Sequence, residues 1–271
     1  MTSTRGLRVG ILMIGSPLWD LKKLDRARWQ YERLDMAAKQ PVDAPIRYGR
    51  CSSGGEWQGQ YTMTLSRGAE AGVAYAVPCK KAVSTLADLE AEVHALAIAE
   101  GLVDSYGAPR WKTFGTVGVG FGDAAADVAP RLKEQWGQSF GFRYNLATTF
   151  WETYKQLDET APVSHDGLLT IGWPTRGGSA EPIAFDLLLA TATEPTPIDR
   201  RYASANEIAE SLVNRAGSAD YFRGNVLNGI RTHDDAAIWS ALEAIRPAWL
   251  RTDRYEQVGE RAGRALSIKS G

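Results

Sequence analysis

Three short stretches carry residue types that can do chemistry. The apolar run Val9–Ile14 breaks at Gly15-Ser16-Pro17 and continues as Leu18-Trp19-Asp20. A glycine–serine turn at the end of a buried strand leaves backbone N–H groups free to hold a carboxylate or carbonyl oxygen. At Glu100-Gly101 a carboxylic acid ends a helix, beside the apolar face of Val93, Leu96 and Ala97. Burial raises a carboxyl's pKa toward neutrality and fits it to carry a proton. The helix dipole disfavours an acid at that end, so Glu100 needs a reason to be there; an ordinary helix-end acid is the plainer alternative. The third stretch is Arg47-Tyr48-Gly49-Arg50. In a regular strand Arg47 and Gly49 face one side, Tyr48 and Arg50 the other. An arginine turned inward meets a carboxylate or binds an anion, which makes Arg47 and Tyr48 candidate substrate contacts. Arginines on an exposed edge are the alternative.

Other chemistries fail on their spacing. In Gly115–Asp123 the glycines suggest a dinucleotide loop, but the sixth position from Gly118 is Asp123, an acid where a pyrophosphate would lie. No phosphate-loop motif occurs. His94, His165 and His233 are the only histidines, and no Gly-x-Ser-x-Gly accompanies them. His233 precedes Asp234-Asp235, where capping the next helix is the simpler role. Cys51 has no visible partner as a nucleophile. Cys51 and Cys79 make neither a disulfide framework nor a metal-ligand spacing, so no metal site is expected from them.

The 271 residues are 44% hydrophobic and 23% charged, ordinary for a protein with a sizeable core. Val9–Ile14 is a strand buried on both faces. Asp20–Ala38, with Leu21, Leu24, Trp29 and Leu34 among many charges, is an amphipathic helix or a helical lid. Residues 42–52, 60–66 and 71–79 are antiparallel strands joined by glycine-bearing loops. A helix follows from an N-cap at Ser84 or Thr85 to Gly101. A strand at 114–121 and a helix over about 123–136 complete a β-α-β-β-β-α-β-α order. Further on, 145–158 reads as helix and 167–174 as strand, while Ile183–Pro195 fits either. Helices are expected near 204–216, 234–245 and 254–266. The fold class is α+β, with a mainly antiparallel, barrel-like sheet and helical C-terminal additions. The polar stretch near 158–166 divides residues 1–157 from a helix-rich 158–271, which belongs to the same domain or forms an extension.

A net charge of −1, from 31 basic and 32 acidic residues, argues against a nucleic-acid partner. The opening apolar run is too short for a signal or a membrane span. The expectation is a cytoplasmic protein with a small-molecule substrate and no membrane partner.

The strand ending Gly15-Ser16-Pro17-Leu18-Trp19, the strand Gly72-Val73-Ala74-Tyr75 and the helix with Val93, Leu96 and Glu100-Gly101 together resemble the γ-glutamylcyclotransferase fold of the AIG2-like and ChaC-like families. The resemblance spans residues 8 to 121. It implies that Gly15, Ser16, Pro17 and Leu18 bind a γ-glutamyl moiety, with Trp19 at the side of the pocket and Glu100 shuttling a proton. The substrate's amine would then close on its own side-chain carbonyl to give 5-oxoproline. The resemblance implies no metal and no cofactor. Ile14 stands where the family carries tyrosine, and Pro17 has no N–H to offer. Two alternatives stay open. One is a non-catalytic binding or regulatory module in which Glu100 is an ion-pair partner of a residue such as Arg47. The other is a partner-binding C-terminal half using Arg200, Arg201, Arg223 and Arg231.

Overall fold

A computed structural model describes residues 6–103, 114–123, 129–143, 149–213, 219–247 and 253–264. The strands are β1 (Val9–Met13), β2 (Gln40–Cys51), β3 (Tyr61–Leu65), β4 (Ala71–Pro78), β5 (Gly115–Phe121), β6 (Thr175–Arg176) and β7 (Leu187–Thr193). The helices described are α1 (Leu24–Arg33), α2 (Leu86–Glu100), α3 (Ala129–Arg143), α4 (Thr149–Gln156), α5 (Ala205–Val213), α6 (Asp220–Leu227), α7 (Asp235–Ile245) and α8 (Asp253–Arg264). None of them is long and apolar enough to cross a membrane.

The fold is α+β around one seven-stranded sheet in the order β3-β2-β4-β1-β7-β5, with β6 paired to β2. The sheet is mixed and is not closed, where the sequence pointed to a mainly antiparallel, barrel-like one. The reason is β7. This strand, which the sequence left undecided between helix and strand, inserts beside β1 in parallel and pairs antiparallel with β5. β3 and β5 therefore remain as edges. The sheet still curls far enough for side chains to cross it. Thr64 Oγ1 on β3 donates to Thr193 O on β7 at 2.6 Å, and Thr193 Oγ1 donates back to Met63 O at 3.2 Å.

β1 is buried along its whole length, as a run of uninterrupted apolar residues requires. The 167–174 stretch forms only isolated bridges, Leu168 to Val119 and Leu169 to Val163, rather than a strand of the sheet. α2 packs on β5 and β7 and against α1. Its start is set by a capping box between Thr85 and Asp88, and its end by Gly101 at φ 74°, a conformation that costs glycine little. Helix α1 departs from the expected apolar pattern. Leu21 and Leu24 are exposed, and the buried stripe is Arg26, Trp29 and Gln30. The cause lies in the site that α1 covers.

Candidate functional site

The end of β1 turns through Gly15 into a 3-10 turn, Ser16–Leu18. Two buried side chains of α1 hold it: Gln30 Nε2 donates to Pro17 O at 2.5 Å, and Arg26 Nη1 donates to Ser16 Oγ at 3.3 Å. Helix α6 presses on the turn from the other side. Tyr221 Oη stands where a Cβ on residue 15 would lie, 2.5 Å from that position, so the phenol and the turn fit only with glycine there. The same oxygen accepts a hydrogen bond from Met63 N at 3.1 Å. Among the described residues, the N–H groups of Gly15 and Ser16 have no acceptor.

A cavity of about 380 Å³ opens between this turn, the end of α2, the β2–β3 connection and β7. Gly15, Ser16, Pro17 and Glu100 all line it. The turn and the carboxyl that the sequence singled out, 84 residues apart, therefore face one space. Its volume lies in the range of small-molecule sites. Arg26, Arg50, Thr62, Trp57, Tyr221 and Thr191 contribute further to the walls.

Glu100 is the last residue of α2, and its side chain is 15% exposed. Burial raises its pKa; the nearby charges of Arg26, Lys23 and Arg50 and the hydrogen bond from Arg26 work against that rise. Arg26 is the reason an acid survives at this helix end. Its guanidinium, 3% exposed, donates from Nη2 to Glu100 Oε2 at 3.3 Å and from Nη1 to Asp20 Oδ2 at 3.4 Å. From Nε it also reaches Ala99 O at 3.4 Å, one of the carbonyls at the negative end of α2. One buried cation thus links the opening turn, Asp20 and the candidate proton carrier.

The remaining sequence candidates lie elsewhere. Leu18 is buried beneath the turn, outside the cavity lining. Trp19 stands behind the wall, its ring 5.9 Å from Trp57 and 6.0 Å from Tyr221, and its Nε1 donates to Asn225 Oδ1 at 2.8 Å. Tyr48 is fully buried and accepts a hydrogen bond from Asn225 Nδ2 at 3.3 Å. Arg47 lies over the Tyr202 ring at 4.1 Å and within 3.9 Å of Asp234. Neither Arg47 nor Tyr48 lines the cavity; Arg50 does.

The difference is a bulge. β2 pairs Tyr48 with Met63 but Arg50 with Thr62, leaving Gly49 as the extra residue. Arg50 therefore leaves the face that strict alternation gives it with Tyr48. Glycine within a strand is the sequence signal for such a bulge. Arg26 and Tyr221 had no comparable signal. Of the C-terminal arginines, Arg201 pairs with Glu207, Arg223 pairs with Asp220, and Arg231 donates to the Val226 and Ile230 carbonyls, while Arg200 is exposed.

Among the described residues no group of three or more histidine, cysteine or acidic side chains is placed to hold a metal ion. The chain matches no family model, no characterised protein and no solved structure with which it was compared.

Proposed function

We propose that the protein is a small-molecule enzyme that releases 5-oxoproline from a γ-glutamyl or related amide, on a γ-glutamylcyclotransferase-like fold. The single observation behind this reading is that Glu100 and the Gly15–Pro17 turn line one cavity. The substrate's α-amine attacks its own side-chain carbonyl carbon. A ring C–N bond forms, the original amide C–N bond breaks, and the expelled amine leaves with a proton. Glu100, as the carboxylate, takes the proton from the attacking nitrogen and returns it to the leaving one. A carboxyl raised by burial but steadied by Arg26 suits both halves of that transfer, because proton-transfer efficiency is greatest when the carrier's pKa approaches the working pH. The unpaired N–H groups of Gly15 and Ser16 are donors for the carbonyl oxygen as charge develops on it. Tyr221 brings to this cavity a phenol that Ile14 does not supply.

A second reading has one observation in its favour, the 3.3 Å pair between Arg26 and Glu100. In a non-catalytic binding module that pair is purely structural. Its partner is Arg26 rather than Arg47, which lies outside the cavity lining. The deciding experiment is 5-oxoproline release from a panel of γ-glutamyl amines and peptides by wild type and Glu100→Gln. Cyclotransfer requires turnover by wild type that the variant loses. Absence of turnover from both folded proteins would leave the binding module.

A further inference from the structure

The cavity wall contains a cation that the proton transfer above does not employ. Arg50 lies with its guanidinium carbon 4.1 Å from the centre of the Phe114 ring. No carboxylate among the described residues lies within ion-pair distance of it. Burial lowers its pKa, as expected for a charge partly removed from water without a counter-ion. An unpaired, partly desolvated guanidinium is costly unless a ligand supplies the anion.

The charges around it narrow the choice of ligand. Asp20 and Glu100 share Arg26, and Glu56 is paired to Lys22 at 2.5 Å. Among the described residues, every acid of the cavity wall is therefore engaged, while Arg50 and Lys23 are left over. Two carboxylates on one guanidinium leave a single negative charge near Arg26, so among the described residues the excess of cations is small. That balance favours a monoanion over a phosphate dianion. Thr191, in the same wall, has a buried hydroxyl with no hydrogen-bond partner, a spare donor or acceptor beside the cavity.

We infer that Arg50 is an anion receptor that holds a carboxylate of the ligand, and that the protein takes carboxylate-bearing small molecules. The planar fork of arginine matches a carboxylate in two parallel hydrogen bonds, and the Phe114 ring 4.1 Å away packs against its guanidinium. This inference deepens the cyclotransfer reading, on which it rests, by naming the residue that holds the α-carboxylate of a γ-glutamyl ligand.

The test is isothermal titration calorimetry with glutaramate, which carries one carboxylate and one amide, and with glutaramide, the uncharged diamide of the same length. Wild type binds glutaramate more tightly than glutaramide. Arg50→Met weakens glutaramate by about tenfold or more, the usual worth of a charged hydrogen-bonded contact, and leaves glutaramide unchanged. Arg50→Lys, which keeps the charge and loses the fork, falls between them. The wild-type preference carries the test if Arg50→Met fails to fold. Equal binding of acid and diamide, no binding of glutaramate by wild type, or indifference to Arg50→Met would overturn the inference. Tighter Arg50-dependent binding of inorganic phosphate would overturn the carboxylate assignment. Arg50-dependent glutaramate binding without any 5-oxoproline release would keep the anion receptor and remove cyclotransfer.

Discussion

Replacing Arg26 by methionine removes the cation between Asp20 and Glu100 while nearly preserving the length of the side chain. The Asp20 and Arg26 side chains are each 3% exposed and that of Glu100 is 15%, so little water is available to replace the guanidinium. Removing one partner of a buried ion pair costs about 3–5 kcal/mol. The contacts here, at 3.3–3.4 Å, are longer than well-formed charged hydrogen bonds, and Glu100 opens on the cavity. The lower end, about 3 kcal/mol, is therefore expected. The loss also has a pH signature. Arg26 is the largest influence holding the Glu100 pKa down against burial, so Glu100 in the variant binds its proton still more tightly in the folded state. A folded pKa above the unfolded value of 4.5 makes stability fall as pH rises above that value. The destabilisation should thus be greater near pH 8 than near pH 5, a contrast that follows from the linkage of protonation to folding. Urea unfolding at both pH values measures it, and Arg26→Met/Glu100→Gln should recover part of the loss. A destabilisation that is equal at both pH values, together with no recovery in the double variant, would refute the electrostatic account of Arg26.

Two further substitutions probe the surroundings. Gly15→Ala places a methyl 2.5 Å from Tyr221 Oη and should cost about 1–3 kcal/mol in thermal unfolding, as overpacking does. Adding Tyr221→Phe should relieve part of that cost, and strict additivity of the two changes would contradict the contact. Asp235 is fully buried; its Oδ1 accepts from Thr232 Oγ1 at 2.5 Å and its Oδ2 has no partner. Burial pushes its carboxyl from 3.8 up to about 7. The folded state therefore favours the protonated acid, and this residue's share of stability is lost as pH rises from about 4 through about 7. Asp235→Asn removes that slope. Above neutral pH it should be more stable than wild type by at most about 4 kcal/mol, at about 1.4 kcal/mol per pH unit between the two values. A wild-type-like pH slope in the variant would disprove the assignment.

Local patterns made one half of the cavity legible. The uninterrupted apolar run of β1, the Gly15-Ser16 break, and the Thr85 and Gly101 caps of α2 are all short-range signals, and they place the turn and Glu100 correctly. The other half depends on distance along the chain. Tyr221 reaches the turn from more than two hundred residues away, and β7 enters the sheet through pairing with β1 that no local pattern marks. Arg26 was hidden for a different reason. Hydrophobic periodicity marks Leu21, Leu24, Trp29 and Leu34; Trp29 and Leu34 are buried, but Leu21 and Leu24 are not, because the acids beneath the helix require a cation. Arg50 joins the face of Arg47 because one extra residue at Gly49 resets the alternation of β2, and of the two only Arg50 reaches the cavity.

Turnover of a γ-glutamyl amine in ¹⁸O-labelled water tests the proposed reaction most directly. Ring closure by the substrate's own amine consumes no water, so cyclotransfer predicts 5-oxoproline free of label, formed by wild type and lost with Glu100→Gln. Glutamate carrying one ¹⁸O in its side-chain carboxyl would show that water is the nucleophile, and would contradict intramolecular cyclotransfer in this cavity.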